Sequence, residues 1–272
     1  MKNNKKYLLF GEKYGPCALV AGGSDGLGAA FAEALARRGL NLILIAREKV
    51  RLEATAQRLA EKFSVDVKTI AADLSDFEKA KKMINELLTN EKRGSSVGLM
   101  VYNAAFAPIG LFENTGEEQL ALAASVNVKT PLLLTKLLSA QMIENKRGGI
   151  VLMSSFDGSQ GRAKLAAYAA TKAFNAVLAE GLWKELKPHG VDVIGCCAGA
   201  ISTPGYQQAE KSKDAPGTLS AEAVAEQTLK ALGKEPIVIP GALNKLAKFV
   251  LTRLLPKKAA IDIMLKNTGG LS

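Results

Sequence analysis

Two side chains four residues apart, Tyr168 and Lys172, lie in AAYAATKAFNAVLAEGLWKEL, whose apolar spacing predicts a helix over 165–187. At that spacing both leave the same helix face, within electrostatic reach of each other. A free phenol, pKa about 10, is a poor proton acceptor at neutral pH, and a neighbouring ammonium favours its phenolate. Lys172 is therefore expected to lower the Tyr168 pKa and make the phenol a usable general acid/base. Ser155 stands 13 residues before Tyr168, where the apolar run 149–153 stops at two hydroxyls, Ser154 and Ser155. A loop of that length can fold back so that one substrate oxygen meets both the serine hydroxyl and the phenol. A tyrosine and a lysine four apart also arise by chance, the first as a half-buried aromatic and the second as a solvated charge. The rest of the chain has to decide.

Apolar strands alternate with amphipathic helices from residue 16 to about 240, with strands read at 17–21, 40–46, 65–71, 97–101, 149–153 and 191–197. The alternation predicts an α/β fold: a doubly wound, Rossmann-like parallel sheet between two helical layers. Between the first strand and its helix, Gly22, Gly26 and Gly28 let the backbone turn tightly and approach a pyrophosphate at the helix N-terminus. The second strand ends at Arg47, 21 residues past Gly26. An acid at a strand end holds the ribose hydroxyls of NAD, and an arginine just beyond pairs with a 2′-phosphate. Ala46 takes the acid's place, so NADP(H) is favoured over NAD(H). The alternative is that Arg47 only opens helix 47–62 and pairs with Glu48 or Glu53; Asp25, an acid inside the glycine loop, weighs against a phosphate.

Ser155, Tyr168 and Lys172, with the strand before them and AFNAVLAEGLWKEL after, resemble the active site of the short-chain dehydrogenase/reductase family. The likeness runs from about Gly15 to Val238 in the family's order. It implies that Gly22, Ser24, Asp25, Gly26, Leu27 and Gly28 cradle a dinucleotide. Asp73 and Leu74 would meet the adenine, and Asn103 and Ala104 would brace the sheet beside the cofactor. Gly199, Ile201 and Thr203 would grip the nicotinamide carboxamide, and Lys172 would orient the ribose beside Tyr168. It also implies that Asn127, on a helix over 117–144 interrupted near Pro131, accompanies a bend whose freed backbone group holds a relay water near the lysine. An exposed polar residue is the alternative for Asn127, and a helix cap the alternative for Asp73. Ala21, Ala105 and Ala198 stand where the family has threonine, glycine and proline.

With 272 residues, 48% hydrophobic and 23% charged, the chain can bury one substantial core, and one domain over 1–272 is expected. The apolar piece at 7–10 is too short for a signal peptide core, and no run approaches a membrane-spanning length. A cytoplasmic protein, at most attached to a membrane surface, is expected. Cys17, Cys196 and Cys197 read as buried reduced thiols. His189, the single histidine, has no cysteine cluster near it, so no metal site is expected; without a Gly-x-Ser-x-Gly elbow it makes no hydrolase triad.

The net charge is +10, and residues 242–272 carry six of the basic residues against Asp262 alone. No binding module for nucleic acid accompanies that charge. Leu243, Leu246, Val250 and Leu254 recur at helical spacing in 242–256 among Lys245, Lys248 and Arg253. Such a helix suits an anionic membrane or a greasy substrate channel, and more often packs on its own protein. The polar, aperiodic 204–220 reads as a substrate lid. The resemblance implies a carbonyl reductase or alcohol dehydrogenase acting on a small molecule, and the tail and apolar helices suggest a lipophilic ketone or acyl chain. It also implies a homodimer or homotetramer joined through helices 117–144 and 165–187. A dinucleotide-binding regulatory protein without turnover is the competing reading, kept open by the three alanines.

Overall fold

In the computed structural model, residues 2–89, 96–203 and 216–266 are described, with side chains over 8–89, 96–203 and 216–265. The strands are β1 (Cys17–Ala21), β2 (Asn41–Ala46), β3 (Val67–Ala71), β4 (Val97–Tyr102), β5 (Gly148–Ser155), β6 (Val191–Ala198), β7 (Ile201–Ser202), β8 (Leu219–Ser220) and β9 (Ile237–Val238). The helices are α1 (Lys2–Tyr14), α2 (Gly26–Ala36), α3 (Lys49–Phe63), α4 (Phe77–Thr89), α5 (Glu117–Ala124), α6 (Thr130–Glu144), α7 (Ala166–Leu186), α8 (Ala221–Ala231), α9 (Ala242–Phe249) and α10 (Lys257–Lys266).

The described strands form a seven-stranded parallel sheet in the order β3-β2-β1-β4-β5-β6-β9, with β7 and β8 paired separately. The Rossmann-like expectation is met. The physical cause is the continuous apolarity of the strands, which leaves neither sheet face fit for water. Side chains alternate across the sheet: Ala18, Val20, Leu42 and Leu44 pack with Phe31 and Leu35 of α2. Leu19, Ile43 and Ile45 pack on the other face with Leu134 and Leu138 of α6. Each such buried leucine or isoleucine contributes about 1.5–3 kcal/mol.

Chain order reverses between β1 and β4, and the crevice over their carboxyl ends is where such sheets take ligands. The loops after β1, β2, β4, β5 and β6 all open there.

The N-terminal helix α1 was not foreseen. It is fixed at the opposite end of the sheet by Asp192 of β6, whose side chain is 2% exposed. That carboxylate accepts from the Tyr14 hydroxyl at 2.6 Å, from Lys187 Nζ at 2.9 Å and from Lys13 Nζ. Burial alone would raise its pKa, but these three donors hold the carboxyl below its usual range.

Candidate active site

Ser155 is the last residue of β5, and its Oγ accepts the Asp157 N–H at 3.2 Å, opening a short 3-10 turn over Phe156–Ser159. Tyr168, in the first turn of α7, is half-buried, with the Ser155 hydroxyl near enough to act on its phenol. Lys172 is 3% exposed, and its Nζ donates to the Met153 carbonyl at 3.0 Å. The Ser154 hydroxyl donates to the Lys172 carbonyl at 2.7 Å, stitching α7 to β5. The three residues expected to meet do meet.

The electrostatics differ from expectation. The Tyr168 phenol is pushed up to about 12, chiefly by burial and then by Asp157, while the Ser155 hydroxyl and Arg162 work the other way. Lys172 lies 5.5 Å from the centre of the tyrosine ring with its ammonium turned to Met153. Burial brings the lysine itself down to about 8. The expected lowering of the Tyr168 pKa by Lys172 is therefore corrected: burial dominates the phenol, and the ammonium's hydrogen bond goes to the Met153 carbonyl.

Asn127 is fully buried, which excludes its exposed alternative. It sits in a π turn, Ser125–Lys129, that interrupts the expected helix between α5 and α6. Its Oδ1 accepts from Phe106 N at 2.8 Å, and its Nδ2 donates to Phe106 O at 2.7 Å and Thr171 Oγ1 at 3.0 Å. In a regular helix residue 131 would donate to the Asn127 carbonyl, and proline has no N–H to give. Asn175 Nδ2 of α7 donates to that carbonyl at 3.0 Å. The carbonyl expected to hold a relay water thus has a side-chain donor that the sequence did not disclose.

The glycine loop is forced by contact. A side chain on Gly28 would come within 1.7 Å of the Gly22 carbonyl, and Gly22 has φ +80° with Ala104 N 2.8 Å from where a Cβ would lie. Asn103 Nδ2 bonds Gly22 O at 3.2 Å, and the N–H groups of Asn103 and Ala104 both reach Ala21 O at 2.9 Å. Leu27 and Gly28 are buried at the start of α2. Asp25 caps that helix through Gly26 N at 2.7 Å and pairs with Arg51 at 3.3 Å.

A cavity of about 400 Å³ opens here, walled by Ser24, Arg47, Arg51, Asp73, Leu74 and Asn103 among others. The Ser75 N–H and, more weakly, Arg47 hold the Asp73 carboxyl below its usual range, so Asp73 makes the turn before α4 and faces the cavity too. Lys49, and not Arg47, pairs with Glu53, at 3.8 Å. Thr203 lies against Gly26, 3.3 Å from where its Cβ would stand, joining the loop after β6 to the glycine loop. Ile201 is half-buried in β7, and Gly199 lies against the Asn244 side chain of α9. Ser155, Tyr168 and Lys172 are not part of this cavity's wall. The alanine departures are accommodated: Ala105 is exposed with no left-handed φ, and Ala21 and Ala198 are buried in the sheet.

Four residues here escaped the sequence reading: Arg51, Asp157, Arg162 and Asn175. Arg51 alone had a signal, one helical turn past Arg47. Residues 204–215 of the expected lid lie outside the described residues. The expected tail helix extends to Phe249 and continues as a π turn to Leu254. Leu243, Leu246, Phe249 and Leu254 are exposed, while Asn244 of the same helix is buried and bonds the Gly217 and Pro240 carbonyls, so one face packs on the protein and the other is open. The three cysteines are free and buried.

A profile described as short chain dehydrogenase matches residues 16–214. The chain is 30% identical over 249 residues, 90% of it and 74% of the relative, to Hydroxysteroid dehydrogenase-like protein 1 of Gallus gallus. It is 34% identical over 184 residues to Inactive hydroxysteroid dehydrogenase-like protein 1 of Homo sapiens, 67% of the chain but only 54% of that relative. A structure reported for 7beta-hydroxysteroid dehydrogenase stereoselectivity superposes with TM-score 0.85 at 27% identity, over 93% of this chain and 98% of the other. A short-chain dehydrogenase from Sphingobium yanoikuyae in complex with NADPH gives TM-score 0.71 at 29% identity, over 83% and 87%. With the sheet order, the glycine cradle and the serine, tyrosine and lysine converging above it, these likenesses make the chain a member of the short-chain dehydrogenase family of oxidoreductases.

Proposed function

We propose that the chain is one dinucleotide-binding and catalytic unit, an NADP(H)-dependent reductase of a lipophilic carbonyl compound, working through Ser155, Tyr168 and Lys172. The observation that carries it is the packing of α7 on β5, which sets Tyr168 beside the Ser155 hydroxyl at the carboxyl end of β5, with Lys172 buried and its Nζ on the Met153 carbonyl at 3.0 Å. Two arginines, Arg47 and Arg51, line the cavity where a 2′-phosphate would sit, and a family neighbour was solved with NADPH. The glycine contacts leave backbone in place of side chains where a pyrophosphate would approach, so the residues fit the cofactor.

The bound cofactor supplies a hydride. The chain's own residues do the rest. The Ser155 hydroxyl turns to the substrate oxygen and fixes it. Tyr168, kept protonated by burial, donates its proton to that oxygen. Lys172 offers its remaining donors to the ribose, and the protein groups converge on an oxygen that gains charge as the reaction proceeds.

Leu132 of α6 and Val177 of α7 are exposed, 41% and 66%, on the two helices proposed to join subunits. Exposed Leu243, Leu246 and Phe249 beside Lys245 favour contact of α9 with an anionic membrane surface, where a lipophilic substrate would dissolve.

The test is NADPH consumption over a panel of aldehydes, bulky ketones and 3-oxoacyl thioesters. Turnover of at least one, faster with NADPH than with NADH, is expected. NADPH binding with no carbonyl consumed across the panel would replace the enzyme by the regulatory binder.

A further inference from the structure

The loop between β5 and α7 places an ion pair against Ser155 and within electrostatic reach of Tyr168, the two groups proposed to handle the substrate oxygen. Asp157, 8% exposed, stands two residues after Ser155, and Arg162 Nη1 donates to its Oδ1 at 2.9 Å. The other carboxylate oxygen, Oδ2, takes a long hydrogen bond of 3.4 Å from the Ser155 hydroxyl, while the Asp157 N–H donates to that same hydroxyl oxygen. The Arg162 side chain is 16% exposed, so the pair is shielded from the water that normally mutes such charges. Neither residue takes part in the mechanism above.

We propose that the Asp157–Arg162 pair is a positioning element that sets the pH window of the site, its carboxylate holding Ser155 in place and keeping Tyr168 in the protonated form an acid requires. This rests on the Ser155–Tyr168–Lys172 reading. Around the phenol the charged and titratable groups are Asp157 and Arg162 from the loop and Lys172 from its own helix, with Cys196 of β6 beyond Lys172; Asn127 and Thr171 are neutral. Asp157 is the anion among those that act on the phenol, and it raises the phenol's affinity for its proton, whereas Arg162 lowers it. The overall equilibrium between carbonyl and alcohol is untouched, because an enzyme cannot alter it. What moves is the pH at which Tyr168 changes form: reduction holds its plateau below that pH, and oxidation rises up to it.

Removing each partner must then shift the site in opposite senses. Asp157→Asn removes the anion, stabilises phenolate, and moves both the alkaline fall of reduction and the plateau of oxidation down by roughly one pH unit. Arg162→Gln leaves Asp157 unopposed and moves them up. A purely structural pair would instead lower activity in both variants with no shift, or with shifts of one sign. An independent reading needs no turnover: ultraviolet phenolate titration of each variant, minus the same protein carrying Tyr168→Phe, reports the phenol directly. Opposite displacement of the Tyr168 transition in the two variants is expected. Coincident transitions in both variants and the parent, in folded proteins by circular dichroism, would overturn the proposal. Should Asp157→Asn not fold, the Arg162→Gln titration alone decides, an unshifted or downward transition defeating it. If Tyr168→Phe itself retained full turnover, the underlying reading and not this pair would be at fault.

Discussion

The Asn175 amide of α7 donates to the Asn127 carbonyl at 3.0 Å, filling the position that Pro131, lacking an N–H, leaves open in the next turn of the helix. Asn175 is 1% exposed, and its Oδ1 has no partner among the described protein groups. The π turn, and through it Phe106 and Thr171, is therefore held from outside its own helix. Asn175→Ala should leave the Asn127 carbonyl unsatisfied and cost about 1–3 kcal/mol of stability, measured by urea unfolding. An unchanged unfolding midpoint would show that the π turn holds itself.

Arg51 is anchored by Asp25 at 3.3 Å, and Arg47 stands at the end of β2 on the same cavity. If both serve a 2′-phosphate, Arg47→Ala and Arg51→Ala should each weaken NADPH binding about tenfold, some 1.4 kcal/mol, and leave NADH binding within twofold. Fluorescence titration of the two cofactors checks this. Equal loss for both cofactors would assign the arginines to something other than the phosphate.

Asp192, with Tyr14, Lys13 and Lys187 converging on it, ties α1 to the base of the sheet. Asp192→Ala removes the shared acceptor of Lys13, Lys187 and the buried Tyr14 hydroxyl and should destabilise by roughly 1–3 kcal/mol, chiefly through the unsatisfied phenol. The native carboxyl titrates below its unfolded value, so its contribution is present above about pH 4 and is lost as pH falls through the lower native value. Glu33, held near 2 chiefly by Arg58 and Lys62, acts in the same sense. Thermal unfolding from neutral to acid pH should show the wild type losing more stability than Asp192→Ala. Parallel curves would contradict it.

How much of this was legible in the sequence depended on whether partners lie close along the chain. Tyr168 and Lys172 share a helix face by spacing, Ser155 ends an apolar strand, and the glycines stand between strand and helix, so the nearness of these three residues and the sheet were readable. The interruption at Asn127 was readable because proline withholds a donor locally. Asn175 was not, since only the packing of α7 brings its amide to a carbonyl 48 residues earlier. The direction of the Tyr168 shift was missed for the same reason: spacing reveals a neighbouring charge, whereas burial and the turn of the ammonium to Met153 belong to the tertiary structure. Helix α1 escaped because polar, lysine-rich ends masked a short face whose anchor, Asp192, is 178 residues from Tyr14.

The exposed face of α9 predicts a surface partner. Leu246→Ser together with Phe249→Ser should sharply reduce co-sedimentation with vesicles rich in anionic phospholipid while leaving NADPH binding unchanged. Asn244 of the same helix bonds the Gly217 and Pro240 carbonyls, so point changes are cleaner than truncation. Equal sedimentation of variant and parent would leave these residues to a second subunit or the substrate.

The proposed chemistry needs Tyr168 as the proton donor beside Ser155. Steady-state NADPH oxidation by wild type and Tyr168→Phe, with whichever carbonyl the wild type reduces, tests it most directly. Turnover should fall roughly 10²–10⁴-fold while NADPH affinity, measured separately, stays within a few-fold. Turnover of the phenylalanine variant at the wild-type rate would contradict it.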